Sequence, residues 1–224
     1  GIYLTNTLEK PVFRKEVAAF AQYISEEANA AAEVKRQKPI MVVLGNPPYS
    51  VSSANKSEFI EDLMDRYKEA VRDERNIQPL SDDYIKFIRF AHDRIERTGY
   101  GVIGMITNHS YFSGLIHRGM REELMKTFDE IYALNLHGNA LIGETTPEGG
   151  PDKNVFDIRQ GVAISFFVKR EGQEPETAGS CKTYYADLWG LQEEKYGYLL
   201  ENDIDSVKWK QLEPESPYFF FFPK

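Results

Sequence analysis

Cysteine, long apolar runs and targeting signals are all scarce in this sequence. Only one of the 224 residues is a cysteine, Cys181, so no internal disulfide can form, which is typical of proteins that stay in a reducing cytoplasm. No apolar run approaches the roughly 20 residues of a transmembrane helix, and no basic, apolar and small-residue succession marks a signal peptide. These absences predict a cytoplasmic protein that does not contact a membrane.

Positive charge is also in short supply. The net charge is −8, with 27 Lys and Arg against 35 Asp and Glu. Because Lys and Arg contacts to phosphates supply most non-specific affinity for nucleic acid, this chain alone is not expected to hold one. Either nucleic acid is not the substrate, or the groups that hold it lie elsewhere in a longer chain. A start at Gly1 without Met, and an aromatic run at 217–222 with no later segment to cover it, favour the longer chain.

Metal-ligand and nucleotide-binding signatures are missing as well. The four histidines, at 92, 109, 117 and 137, have no metal-ligand spacing, so we expect no bound metal. No Walker loop is present, which argues against an ATPase in this segment. His109 and His137 follow predicted strands and are candidates for lining a cleft, although structural or solvated roles are the favoured interpretation for both.

Apolar strand patterns alternate with amphipathic helix patterns along the chain. A helical pattern covers 11–37, and the continuous apolar run at 40–44 is typical of a parallel strand buried on both faces. Amphipathic helices are predicted at 59–71 and from an N-cap at Ser81 to a C-cap at Gly99.

The second half of the chain continues the alternation. Strands are predicted at 101–106, 131–136 and 161–168, with a helix at 115–128 and a loop at 143–151. The pattern predicts an α/β fold, an open mixed sheet with helices on both faces. In such sheets, ligands bind beyond the carboxyl ends of the strands.

A proline-rich tetrapeptide, Asn46-Pro47-Pro48-Tyr49, directly follows the predicted strand at 40–44. Two successive prolines fix φ and have no N–H, so the loop cannot continue the sheet or enter a helix. The Asn46 side-chain oxygen and the Pro47 carbonyl are left as acceptors with no competing backbone donor nearby. Tyr49 adds a flat aromatic face beside them.

These residue types suit methyl transfer to an amino group on an aromatic ring. Such a nitrogen is a poor nucleophile because its lone pair is shared with the ring. Two acceptors that hold its hydrogens draw it towards pyramidal geometry, so that catalysis rests on positioning and electrostatics. A base within a duplex cannot reach such a pocket, so it is expected to flip out and stack on Tyr49.

At this motif the sequence resembles the amino-methyltransferases that use S-adenosylmethionine, and Asn in first place resembles their adenine-N6 branch. The segments 2–9, 43–50 and 156–169 resemble the methyltransferase region of Type ISP restriction-modification enzymes. In that family a nuclease and a helicase-like translocase precede the methyltransferase, and a target-recognition domain follows it. The resemblance therefore implies a bacterial or archaeal parent chain that carries those domains and holds double-stranded DNA through them.

The resemblance also implies roles for residues outside the motif. Asn6 and Thr7 are expected near the adenine of the cofactor, and Phe156 is expected to place a second aromatic ring against the flipped base; a plain core role for Phe156 is equally compatible. The glycine-rich cofactor motif and the first strands are expected upstream, so this segment alone should bind cofactor weakly or not at all and be inactive. Residues 1–175 are expected to be a partial catalytic domain, and 176–224 a linker and the start of a target-recognition or C-terminal domain.

Two other functions remain open from the residues. The same tetrapeptide occurs in methyltransferases that modify a glutamine side chain or a guanine in ribosomal RNA, although those enzymes usually end soon after the last strand. A non-catalytic DNA-positioning domain is the other alternative. An aromatic residue that stacks on a base contributes ~1–3 kcal/mol, so loss of Tyr49 separates an enzyme from a scaffold.

Overall fold

A computed structural model describes residues 2–3, 5–11, 19–49, 53–172 and 181–224, with side chains of the first helix described from residue 26 onward. Within these residues the strands are β1 (Val42–Gly45), β2 (Gly101–Asn108), β3 (Glu130–His137), β4 (Val162–Lys169), β5 (Lys182–Asp187) and β6 (Lys210–Leu212). The helices are α1 (Ala19–Gln37), α2 (Glu58–Lys68), α3 (Asp83–Thr98), α4 (Arg118–Thr127) and α5 (Gln192–Glu201). The N-terminal part of the predicted 11–37 helix, 12–18, lies outside the described residues.

The described strands form one six-stranded mixed sheet in the order β1-β2-β4-β3-β5-β6. β1 is parallel to β2 and β3 is parallel to β5, whereas β4 runs antiparallel to both β2 and β3. β6 is antiparallel to β5. The carboxyl ends of β1, β2, β3 and β5 therefore meet at one end of the sheet, which is where ligands of open α/β folds bind.

Helices cover the sheet on both faces, as predicted. On the first face, α2, α3 and α4 enclose a large apolar core with inward side chains such as Ile103, Ile131 and Phe167. On the second face, a smaller apolar cluster contains Leu136, and α5 contributes Leu199 to it. Alternate strand residues point to opposite faces, so each central strand supplies both cores. The α/β fold class is confirmed.

The first strand differs from the prediction. The run at 40–44 was expected to be buried on both faces, but Val42 is 61% exposed and Leu44 is 73% exposed. The reason is that β1 is an edge strand of the described sheet: it pairs with β2 alone, and only its Val43 side packs on the core. The expectation of full burial is wrong, whereas parallel pairing is confirmed.

Helix ends follow local chemistry with small shifts. The N-cap of α3 is Asp82 instead of Ser81, because 78–81 forms a short 3₁₀ turn that delays the helix start. Gly99 closes α3 with φ of 90°, a left-handed conformation that favours glycine, as predicted. The helix predicted for 115–128 begins at Arg118, since Leu115–His117 is also a 3₁₀ turn.

The sheet continues past residue 175. β5 pairs with β3 along its length and β6 pairs with β5, so residues up to Leu212 belong to the same sheet. A division into 1–175 and 176–224 does not coincide with an end of the sheet and stays a prediction. The aromatic run at 217–222 was expected to lack cover, but Phe221 is fully buried in the first core and Arg121 donates to the Tyr218 carbonyl at 2.9 Å. Among the described residues, no helix has the length and the apolar composition that a membrane span requires.

Candidate catalytic site

Asn46-Pro47-Pro48-Tyr49, which we call the NPPY loop, leaves the sheet at the carboxyl end of β1. Pro47 is buried while Asn46 and Pro48 are exposed, so the loop is anchored at one residue and presents its polar groups outward. Gly45 permits a close approach to β2, because a Cβ there would meet Met105 Sδ at 2.8 Å. The loop is therefore held in place by β1 and by its own prolines.

A cavity of about 500 Å³ lies beside the NPPY loop. Asn46, Pro47 and Pro48 form part of its wall, and Thr7 from the N-terminal segment forms another part. The structure thus brings one of the two predicted cofactor residues to the motif. Asn6 does not line this cavity: its side chain accepts from Leu8 N at 3.1 Å and donates to Glu9 at 3.0 Å.

Two cations also line the cavity. Lys35 of α1 donates to the Asn6 carbonyl at 2.5 Å and to the Glu9 carbonyl at 3.3 Å, which ties the N-terminal segment to the helix. Burial lowers the pKa of Lys35 from its ordinary value. Arg94 of α3 donates to the Lys35 carbonyl and lies 2.7 Å from the Asp93 carboxylate. Together these contacts fix the part of the cavity wall that Lys35 and Arg94 form.

The two aromatic residues predicted to face a base lie side by side. The ring centroids of Tyr49 and Phe156 are 6.0 Å apart, with the planes at 61° in an edge-to-face arrangement. Both rings pack on the second apolar cluster. The Tyr49 hydroxyl is buried with no hydrogen-bond partner among the described residues, and burial raises the pKa of Tyr49 to about 12. The phenol is therefore neutral at physiological pH.

Phe156 belongs to the connection between β3 and β4, residues 138–161, which we call the Phe156 loop. The Asn154 side chain accepts from Phe156 N at 2.9 Å and donates to the Gly138 carbonyl at 3.1 Å and the Gln160 carbonyl at 2.6 Å. Gly138 has φ of 76°, and a Cβ there would meet Asn154 Cα at 2.4 Å. The base of the loop is thus closed by one amide and one obligatory glycine.

A buried ion pair, which the sequence did not reveal, fixes the same loop. Asp152 and Lys195 lie 2.7 Å apart with both side chains fully buried. Asp152 accepts from Gly138 N at 2.6 Å and from Gly190 N at 2.9 Å. Lys195 also donates to the carbonyls of Leu136 and Lys153. A lysine in a polar helix pattern resembles a surface residue, so no local signal distinguishes this one.

His109 and His137 lie at the same end of the sheet but do not line the cavity beside the NPPY loop. His137 contacts Glu144 at 2.8 Å and Asp187 at 2.7 Å, and its ring stacks on Trp189 at 3.3 Å between centroids. Burial alone would lower the pKa of His137, but the hydrogen bonds to Asp187 and Glu144 raise it. This cluster joins β3, β5 and the Phe156 loop.

His109 has a different environment from His137. Its Nδ1 lies 2.9 Å from the Asn135 side-chain oxygen, and burial lowers the pKa of His109 from its ordinary value. Gly161 gives the ring its space, since a Cβ there would meet it at 2.3 Å. Among the described residues, no group of three or more His, Cys, Asp or Glu is arranged to hold a metal ion.

Comparison with known proteins identifies one family. Residues 4–138, more than half of the chain, match the sequence profile of the Eco57I restriction-modification methylases. No curated protein matches the chain.

Three solved structures resemble this chain in fold. The ATP-dependent Type ISP restriction-modification enzyme LlaBIII bound to DNA is 27% identical, with a TM-score of 0.77 over 98% of this chain and 15% of that one. The DrdV–DNA complex is 26% identical, with a TM-score of 0.70 over 87% of this chain and 19% of that one. The Type ISP enzyme LlaGI, 23% identical with a TM-score of 0.77, shares the fold and is covered over 18% of its length. The chain thus spans less than a fifth of each of these proteins.

Proposed function

The chain belongs to the Eco57I restriction-modification methylase family, and on that premise we propose that it is the segment of a DNA methyltransferase that methylates adenine at N6. The observation that carries the proposal is the position of the NPPY loop. The loop directly follows β1, forms part of the wall of a cavity of about 500 Å³, and places Tyr49 against Phe156. An acceptor pair and an aromatic face are what a flipped adenine requires.

The NPPY loop acts on the exocyclic amino group of the base. The Asn46 side-chain oxygen and the Pro47 carbonyl accept its two hydrogens, which localises the lone pair on nitrogen. Because the prolines restrict the backbone at both acceptor residues before the base arrives, little backbone reorganisation accompanies the reaction. Tyr49 stacks on the base and, with its neutral phenol, adds no charge beside the nitrogen.

Base entry requires the two aromatic rings to part. A base between two parallel rings needs about 7–8 Å between their centroids, two layers at ordinary contact distance. Tyr49 and Phe156 are 6.0 Å apart and inclined at 61°. We therefore expect the two rings to close the pocket against each other in the free protein, and one of them to turn aside when the base enters.

S-adenosylmethionine, when bound, would supply a methyl group from its sulfonium sulfur, and the amino nitrogen that accepts this group would release one of its two hydrogens as a proton to water. The cavity fits a cofactor of this size, because its volume of about 500 Å³ lies within the ~300–1,000 Å³ of small-molecule pockets. Its wall combines the aromatic rings of Phe87 and Phe90 with the hydroxyl of Thr7. Thr7 would hold the cofactor, and Asn6 would support Thr7 through its turn with Glu9.

DNA is held largely by other parts of the parent chain in this proposal. The net charge of −8 gives this segment little affinity for phosphates. The chain spans only 15% of LlaBIII, which is described as ATP-dependent and bound to DNA. The LlaGI structure is described as that of a nuclease-deletion mutant in complex with a DNA substrate mimic. We expect translocase, nuclease and target-recognition parts in the same parent chain.

Nucleoside analysis tests the proposal. The parent protein is supplied with methyl-labelled S-adenosylmethionine and mixed-sequence DNA, and the digested nucleosides are separated. We expect label in N6-methyladenine, lost in Asn46→Ala and reduced about 5- to 150-fold in Tyr49→Ala, the equivalent of ~1–3 kcal/mol of stacking. Tyr49→Phe should keep most of the rate because the hydroxyl has no partner among the described residues.

Two results would redirect the proposal. Label in RNA or in a protein glutamine, with none in DNA, would assign the loop to a different amino or amide substrate. Asn76→Ala is the matched control, since Asn76 is exposed and its side-chain oxygen accepts from Gln78 N in a local turn. Equal activity in Asn46→Ala and Asn76→Ala would remove the NPPY loop from the reaction.

A further inference from the structure

We infer that α5 positions Phe156 for the base, an inference that rests on the proposed function. α5 (Gln192–Glu201) follows β5 and comes later in the sequence than both the NPPY loop and Phe156. Its only buried residue is Lys195. Besides the packing of Leu199 on the second apolar cluster, polar groups attach the helix to the protein, and those groups converge on the residues just before Phe156.

Two side chains of α5 donate to the same carbonyl. Gln192 Nε2 donates to the Val155 carbonyl at 3.0 Å, and the Tyr196 hydroxyl donates to the same oxygen. Residues four apart lie on the same face of a helix, so both donors approach Val155 from one side. Since Val155 directly precedes Phe156, the two bonds orient the peptide that carries the aromatic ring.

Lys195 provides the deeper anchor on the same helix. Its ammonium group donates to Lys153 O and Leu136 O at 2.7 Å each and pairs with Asp152 at 2.7 Å. Leu136 lies near the end of β3, so this hydrogen bond connects the helix directly to the sheet. A shift of α5 must therefore move 152–155 relative to the strand ends or break a buried ion pair.

The other side of Phe156 is fixed independently. Asn154 accepts from Phe156 N and is itself bonded to both ends of the loop, at Gly138 and Gln160. With α5 on one side and Asn154 on the other, the backbone of Phe156 has little freedom while its ring reaches Tyr49. Because the ring must stack on a base within a few tenths of an ångström, small losses of this support reduce the rate of transfer.

The test removes the two α5 donors without touching the buried pair. In the parent enzyme, Gln192→Ala with Tyr196→Phe should lower kcat for methyl transfer to DNA about tenfold, because the aromatic ring loses its fixed position, while KM for S-adenosylmethionine stays unchanged. If the double variant lowers Tm, Tyr196→Phe alone is tested in its place. Leu200→Ala, at a residue of α5 that is 88% exposed, is the matched control and should leave kcat unchanged.

A double-mutant comparison separates positioning from general support. If α5 acts through Phe156, the double variant should lose its effect in a Phe156→Ala background, since no ring remains to be placed. An equal fall in kcat in both backgrounds, or no fall with Phe156 present, would overturn the inference while leaving the proposed function intact. Absence of DNA methylation in the unaltered parent enzyme would instead overturn the proposed function and the inference together.

Discussion

The NPPY loop and the Phe156 loop meet at the Tyr49–Phe156 contact, yet different forces hold them. The NPPY loop is short and is stiffened by its two prolines, so its shape is largely covalent. The Phe156 loop is long and is held by Asn154, by the Asp152–Lys195 pair and by two side chains of α5. The shape of the NPPY loop is thus set by its own residues, while the shape of the Phe156 loop depends on contacts with residues distant in the sequence.

This difference has a consequence for how the site responds to change. A loop fixed by prolines keeps its form when neighbouring contacts are lost. A loop fixed by hydrogen bonds and a buried ion pair depends on every partner, because an unpaired buried polar group costs more than the bond contributes. Substitutions far from the NPPY loop should therefore act on the site through Phe156.

The largest expected effect comes from breaking the buried pair. Lys195→Met removes the charge that Asp152 faces, and loss of one partner of a buried pair typically costs ~3–5 kcal/mol. Hydrogen exchange in the parent protein should show residues 138–161 exchanging much faster, with 42–49 unchanged. Adding Asp152→Asn should restore part of the protection. Equal acceleration in both loops would contradict the contrast drawn between them.

A glycine-to-alanine pair sharpens the same contrast at a smaller scale. Gly138→Ala should destabilise by about 2–3 kcal/mol, because it forces a side chain into positive φ and against the backbone of Asn154. Gly45→Ala should cost about 1 kcal/mol, since the first atom it meets is the flexible Met105 side chain. Hydrogen exchange measures the loss of stability in each variant. A larger loss in Gly45→Ala than in Gly138→Ala would contradict the expected order.

The smallest effect is a pH dependence at His137. Its folded-state pKa is raised by Asp187 and Glu144, so its contribution to stability is fully present below the ordinary value near 6.5 and is lost as pH rises through the raised pKa. Protection of the strand ends should decline across that interval. His137→Asn suits the positive φ of 53° and cannot titrate, so it should flatten the decline; an unchanged decline would assign it to another group.

Periodicity was enough to predict the layers of the fold but not which strand lies at an edge. The run at 40–44 resembles a fully buried strand, and only its lack of a second neighbour among the described residues leaves Val42 and Leu44 exposed. Edge position depends on pairing between distant segments, which no local pattern records. The loop after this strand was nevertheless located correctly, since the prolines mark its position themselves.

The residues of the candidate site likewise divide into those that could be predicted from the sequence and those that could not. Asn46 to Tyr49 stand in one tetrapeptide, and Phe156 was a candidate through family resemblance. Lys195, Gln192 and Tyr196 were not, because their importance comes from carbonyls that the fold brings to them. A backbone carbonyl has no sequence signature, so side chains that bond to one are invisible before the fold is known.

A structure of the parent enzyme bound to DNA that contains its methylation site tests the central claim most directly. We predict an adenine turned out of the duplex and stacked on Tyr49, with its amino nitrogen about 2.7–3.2 Å from the Asn46 side-chain oxygen and from the Pro47 carbonyl. Phe156 should contact the same base. An adenine that stays paired in the duplex, or a flipped base held away from the NPPY loop, would contradict it.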